Sequence, residues 1–293
     1  MKPPTSTAPG LHTRGAFGAL LRQGLLSASK RRTAMIVLYA LPVLWGIVFS
    51  FMVYLKYAGS ANPLFGEERS AGGNIVMSLM ERAIKVRSQI DVFFNVSRLF
   101  VLLVVGWFGA GLIADDRCSG VYQLHFSRPI GWRTYFAARA TTLLLLGGAA
   151  VVVPGLMICT TAAFSSPDFS FITEEGTAIL ATLGYAAVLT LLYASVALAA
   201  SALASRRSFA LMLLFGTILL PDILSRIFWG LSRNTDWRVL SPLTSMRRIG
   251  AWMLDRNEWF DWPVWWSVLY IGGIVLAATI AAALRVRRME REP

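Results

Sequence analysis

A charged segment at residues 111–139 contains the side chains best suited to an electrostatic role. Two adjacent acids, Asp115 and Asp116, precede two arginines, Arg128 and Arg133, and strongly apolar blocks lie on either side. Carboxylates and guanidinium groups form the stronger hydrogen bonds in proteins, with each other or with charged groups of a partner. A simple connecting loop needs only a few polar residues. The segment therefore predicts a small structured element on which another protein could push.

A second pair of charges, Asp222 and Arg226, lies within an apolar block. Residues four apart share one face of a helix, so the two side chains are predicted to pair. Ionisable groups within a membrane usually face protein or water. One interpretation is a polar gate on a substrate path. The other is a structural pair in the outer half of the span, where Arg226 reaches the interface. The outer position favours the structural pair.

Motifs for catalysis are absent from the sequence. There is no GxxxxGK[ST] phosphate loop, so the chain does not bind ATP in that way by itself. HExxH, GxSxG and CxxC are also absent, and the two cysteines, Cys118 and Cys159, are far apart. We therefore predict no catalytic residue, no metal site and no cofactor in this chain.

The composition predicts an all-α integral membrane protein. Hydrophobic residues make up 56% of the chain and charged residues only 15%, against about 25% in soluble domains. A membrane-spanning helix needs about 20 apolar residues. Six blocks reach that length, at residues 34–57, 92–114, 137–164, 177–204, 208–230 and 264–284. Together they form a predicted six-span domain over residues 33–291.

Lys and Arg in the connecting segments predict the orientation. Sixteen of them fall on the side that holds both termini and nine on the other side. Since positive residues collect on the cytoplasmic side, both termini are predicted to lie in the cytoplasm, in a bacterial cytoplasmic (inner) membrane. The net charge of +12 arises from residues that flank apolar blocks, so we expect a lipid bilayer and no nucleic acid as partner.

Three predicted elements lie outside the spans. Residues 1–10 contain three prolines and are predicted to be a disordered tail. Residues 11–32 alternate apolar and basic residues at helical spacing, which predicts an amphipathic helix on the membrane surface. Residues 115–136 form a predicted cytoplasmic coupling loop, with a coupling helix, between the second and third spans.

This order of parts resembles the permease subunits of the type-2 ATP-binding-cassette (ABC) exporter family. The local match is an acidic pair, a Gly step, an apolar residue, an Arg-Pro corner and a basic residue entering the third span: Asp115-Asp116, Gly120-Val121, Leu124, Ser127-Arg128-Pro129 and Arg139. Two features depart from the family pattern. The acids are Asp where Glu is more usual, and Val121 replaces Thr. The motif match covers about thirty residues.

The resemblance implies a partner and a docking surface. Two such permeases would pair as a homodimer, and each would dock a separate ATPase subunit that binds ATP and Mg. The implied coupling residues are Asp115, Asp116, Gly120, Leu124, Arg128, Pro129 and Arg133. An alternative keeps the architecture but moves a periplasmic protein without carrying a substrate. A third class, an intramembrane enzyme or secondary transporter working alone, has no motif in its favour.

Overall fold

The structure is a computed structural model that describes residues 9–30, 32–60, 86–121, 131–166, 170–256 and 260–291. Within these ranges the regular structure is entirely helical. The α-helices are α1 (Pro9–Lys30), α2 (Arg32–Ser60), α3 (Val86–Gly109), α4 (Ala114–Cys118), α5 (Trp132–Ser165), α6 (Ser170–Glu175), α7 (Thr177–Leu203), α8 (Arg207–Ser232), α9 (Pro242–Met253) and α10 (Val264–Arg291). A 3-10 helix, Thr235–Leu240, lies between α8 and α9.

Six helical stretches in the described residues are long and apolar enough to cross a membrane. They are Arg32–Leu55, Val86–Cys118, Trp132–Ser165, Thr177–Leu203, Arg207–Ser232 and Val264–Glu290. The shortest has 24 residues, above the length of about 20 that a bilayer core requires. The predicted all-α protein with six membrane-length helices is confirmed. The side on which each end lies stays a prediction.

Several helices extend beyond the apolar blocks of the sequence. The second begins at Val86 and not at residue 92, the third begins at Trp132 and not at 137, and the last continues to Arg291. Hydropathy marks only the apolar part of a helix, while the backbone hydrogen bonds continue through its polar ends. The predicted tail falls mostly outside the described residues, since α1 begins at Pro9.

The centre of the bundle is α7. Of the residues in its most apolar stretch, 78% are buried, against 22% for α2 and 17% for α10. The helices α3, α5, α8 and α10 pack around it. Its last turns are rich in Ala and Ser, which allow neighbouring helices to approach closely. By contrast, α2, α8 and α10 present large apolar side chains on the outside, as a surface facing lipid requires.

The first helix, α1, packs along α5 through one narrow face. Leu20, Gly24 and Ala28 are buried, one turn apart, while most other described side chains of α1 are exposed. A Cβ at Gly24 would lie 2.7 Å from Thr142 Oγ1, so glycine is required for this close approach. A helix thus covers Pro9–Lys30, within most of the predicted range 11–32. Its amphipathic character and its position on a membrane surface stay predictions.

The segment between α8 and α10 folds back against the bundle. Ser241 caps α9, since its Oγ accepts a hydrogen bond from Thr244 N at 3.0 Å, and Pro242 occupies the first turn. One face of α9 is buried against α3, α7 and α10. Trp262 is buried and donates to Ser267 Oγ at 3.1 Å. The segment is therefore held against the bundle by contacts with α3, α7 and α10.

Candidate functional site

The site predicted from the acidic pair lies where α3 gives way to α4. The chain leaves α3 at Gly109, makes a turn and re-enters helix at Ala114. Ser201 of α7 fixes this junction: its Oγ accepts hydrogen bonds from Ile113 N and Ala114 N, both at 3.0 Å, and donates to Ala110 O at 2.9 Å. A hydroxyl offers one donor and two acceptor sites, so the bonding capacity of the buried Ser201 is fully used.

Asp116 connects α4 to α5. Its Oδ2 accepts a hydrogen bond from Tyr135 Oη at 2.6 Å and pairs with Arg139 Nη2 at 2.5 Å. The side chains of Arg139 and Asp116 are only 4% and 16% exposed, so water screens the pair weakly. The Arg139 guanidinium also lies over the Tyr135 ring, 5.2 Å from its centroid. The three side chains thus form one buried cluster at this end of the bundle.

Arg117, next in sequence, holds the opposite neighbour. Its Nη1 donates to Ala202 O at 3.2 Å and to Ala204 O at 3.1 Å, at the carboxyl end of α7. The last carbonyls of a helix have no partner within it, and a cation there is favourable. Consecutive residues of α4 therefore bind two different membrane-length helices, Asp116 on α5 and Arg117 on α7.

Asp115 lines a small polar cavity beside this cluster. The cavity has a volume of about 190 Å³. Its walls come from α1, the α3–α4 junction and α5: Gln23, Gly24, Ser27, Ala28, Phe108, Gly111, Leu112, Asp115, Asp116, Arg139, Thr142 and Leu146. A Cβ at Gly111 would collide with the Asp115 carboxylate. Since α1 closes one side of this cavity, three elements meet at the acidic pair.

The other predicted coupling residues fall at the edges of the described chain. Gly120 follows α4 with φ of +69°, a left-handed conformation that suits glycine. Arg133 lies in the first turn of α5, is exposed, and stacks over Trp132 at 5.5 Å. Leu124, Arg128 and Pro129 lie outside the described residues. The structure therefore brings Asp115 and Asp116 together with α5, α7 and α1, and leaves Arg133 exposed nearby in sequence.

Neither Tyr135 nor Arg139 was predicted from the sequence as a site residue, although Arg139 was named as the basic residue at the end of the family motif. The two are four residues apart on α5 and so share a face, a spacing that could have indicated the cluster. Ser201 gave no signal, because a serine in a run of small residues is common in membrane helices.

The second predicted pair, Asp222 and Arg226, is formed in the structure. Arg226 Nε donates to Asp222 Oδ2 at 3.0 Å, and Ser241 Oγ donates to the other carboxylate oxygen. The Asp222 side chain is 8% exposed, whereas that of Arg226 is 73% exposed. Asp222 therefore links α8 to the cap of α9. This arrangement supports the structural interpretation of the pair.

The described residues contain no group of three or more His, Cys, Asp or Glu side chains that could hold a metal ion. Cys118 is exposed on α4 and Cys159 is buried on α5, both as free thiols. Comparison of the sequence with protein-family models and with curated proteins found no match.

Proposed function

We propose that this chain is the membrane-spanning permease subunit of an ABC exporter, driven by a separate ATPase that docks at α4 and the segment leading to α5. One observation supports this most: Asp116 binds α5 while the adjacent Arg117 binds α7. A force applied to α4 is thereby delivered to two membrane helices at once. Rigid elements with two arrangements are the usual means of coupling distant sites.

The ion pair of Asp116 with Arg139 favours movement of α5 together with α4. Separating one partner of a buried ion pair costs about 3–5 kcal/mol, because an uncompensated charge remains. Displacing α4 away from α5 would break the pair with Arg139, so moving α5 together with α4 is the cheaper response. Ser201 couples α7 to the α3–α4 junction in the same way, since separate movement of the junction would break three hydrogen bonds.

The proposal assigns each remaining role by the resemblance. ATP and Mg bind to the partner ATPase, a second copy of this chain completes the permease, and the cytoplasm lies at the α4 end. A second candidate function, mechanical work on a periplasmic protein, uses the same coupling. The folded segment from the 3-10 helix to α9 at the opposite end favours it as an alternative, since it offers a partner a shaped surface.

Co-purification tests the proposal. The full chain, expressed with a candidate ATPase subunit from the same genome, is expected to form a complex whose ATP hydrolysis depends on both subunits. Arg133→Glu reverses one exposed charge on the proposed docking surface and is expected to weaken the complex. Arg233→Asn removes an exposed positive charge at the opposite end of the bundle, at a left-handed position that Asn tolerates, and is expected to leave the complex intact. Absence of any associated ATPase, or equal loss in both variants, would reject the docking surface.

Export and mechanical coupling are then separated by reconstitution. Liposomes containing the complex are expected to lose or gain a transported molecule only in the presence of ATP if the chain is an exporter. ATP hydrolysis that depends on an added periplasmic protein, with no transported molecule, would instead establish the mechanical coupler.

A further inference from the structure

The end of the bundle away from the acidic pair contains a larger cavity, of about 610 Å³. Arg98 at this cavity lies about three turns before the end of α3, whereas Asp116 lies beyond that end, on α4. The cavity is lined by α3, α8, the 3-10 helix, α9 and the chain before α10: Asn95, Arg98, Leu99, Ser225, Arg226, Trp229, Gly230, Arg238, Leu243, Thr244, Arg247 and Phe260. It belongs to neither the acidic cluster nor the proposed ATPase surface.

Positive charge dominates the lining. Four arginines, Arg98, Arg226, Arg238 and Arg247, surround the space, and the described lining contains no acid. Asp222, on α8 beside the lining residues, pairs with Arg226 and also accepts a hydrogen bond from Ser241 Oγ. Across the residues that the structure describes, none of the other three arginines forms an ion pair within 4.0 Å. Asp91 of α3 also lies close enough to interact with Arg98 and Arg247, and it pairs with Arg256 at 3.7 Å. Among the described residues, these five arginines and two acids leave a charge of about +3, which attracts an anion.

Some of these arginines are held in place without being neutralised. Arg98 donates to the carbonyl of Leu243 and to Asn95 Oδ1, and Arg238 stacks over the Trp229 ring at 5.0 Å. A guanidinium fixed by neutral partners keeps its charge and its remaining donors. The planar guanidinium group of arginine can bind two oxygens of a phosphate group through two parallel hydrogen bonds.

Apolar surface adjoins the charged space. Trp229 and Phe260 line the cavity, and Leu99 at its edge is 52% exposed. The helix α8 around Arg226 presents further exposed apolar side chains: Leu220, Ile223, Leu224, Ile227 and Phe228. A free inorganic anion would use the arginines only. An amphiphile would use both the arginines and this apolar surface, and a membrane supplies such molecules at high concentration.

We infer that this cavity is a binding site for the phosphate group of an anionic membrane lipid, whose acyl chains lie against the exposed apolar residues of α3 and α8. The phosphate is bound by Arg226, Arg238 and Arg247, and Arg98 adds charge from α3. Lipid binding at this site requires no ATPase, so its test is independent of the proposed coupling function.

Lipid retention by the full purified chain tests the inference. The chain is exchanged into nanodiscs of phosphatidylcholine with one fifth phosphatidylglycerol, and native mass spectrometry counts the lipids that remain after release. We expect wild type to retain phosphatidylglycerol in preference to phosphatidylcholine. Each arginine near a membrane contributes about 1 kcal/mol toward an anionic lipid, so Arg247→Gln should weaken retention about fivefold and Arg238→Gln with Arg247→Gln about 25-fold.

A matched control separates this site from the general positive charge of the chain. Arg233 is exposed at the end of α8 and outside the cavity, with φ of 55°, a conformation that Asn tolerates. Arg233→Asn removes one positive charge at the same end of the bundle and is expected to leave retention unchanged. Equal loss in Arg233→Asn and Arg247→Gln, with unchanged thermal unfolding in both, would overturn the site.

Inorganic phosphate distinguishes the two sources of the anion. At millimolar concentration it is expected to compete only weakly with phosphatidylglycerol, since it lacks acyl chains. Retention of phosphate with no preference between the two lipids would overturn the lipid assignment.

Discussion

Asp116 and Arg139 form a 2.5 Å ion pair that joins the short helix α4 to the long helix α5, across 23 residues of sequence. Asp116 is one of the two adjacent acids that the sequence predicts as part of a docking element. In the structure, its ion pair with Arg139 directs the carboxylate toward α5. The acid therefore links α4, the proposed docking element, to α5.

Removing one partner of this pair should destabilise the protein strongly. We expect Asp116→Ala to lower the unfolding free energy by about 3–5 kcal/mol, because Arg139 would remain charged and buried. Asp116→Ala combined with Arg139→Met should cost less than the sum of the two single changes. Thermal unfolding in detergent measures this coupling, and additive effects would contradict a direct interaction.

Ser201 should hold the α3–α4 junction. Ser201→Ala leaves the amides of Ile113 and Ala114 without their acceptor, and each buried unsatisfied donor costs about 1–3 kcal/mol. Hydrogen exchange should therefore accelerate over residues 110–118. Ser195→Ala is the control, since this buried serine of α7 donates to Leu192 O, within its own helix. Equal acceleration in both variants would exclude a specific role for Ser201.

Asp222 should act as a structural link and not as a gate. Asp222→Ala removes the acceptor for both Ser241 and Arg226, so we expect a loss of unfolding free energy shared with Ser241→Ala in a double-mutant cycle. Arg226→Gln should cost less than Asp222→Ala, because a glutamine amide can still donate a hydrogen bond to the buried Asp222 carboxylate. Normal stability with lost transport in Asp222→Asn would instead support the gate.

Cys118 provides a test of orientation without mutation. It is exposed on α4, whereas Cys159 is buried, so a membrane-impermeant maleimide should react at Cys118 alone. With α4 in the cytoplasm, labelling is expected in inverted membrane vesicles and not in intact cells. A Ser232→Cys variant, with Cys118→Ser, reports on the opposite end of the bundle and should show the reverse pattern. Labelling of Cys118 in intact cells would invert the predicted topology.

The sequence was most informative about features that a single segment determines, such as the length of a helix or the pairing of two residues on one helix face. Six helices followed from the length of apolar blocks, and the pairing of Asp222 with Arg226 followed from their helical spacing. The contacts of Asp116 with Arg139 and of Ser201 with the α3–α4 junction depend on how helices pack, and no local pattern specifies that packing. The arginine cavity was missed for the same reason, since its lining comes from five separate elements of the chain.

The exposed thiol of Cys118 allows the most direct test of the coupling account. A photoreactive maleimide attached there, in the complex of the full chain with its ATPase, is irradiated and the cross-linked peptides are identified by mass spectrometry. The account predicts cross-links from Cys118 to the ATPase, and none from a probe at Ser232→Cys in a Cys118→Ser background. An intact complex in which Cys118 never cross-links to the ATPase would contradict it.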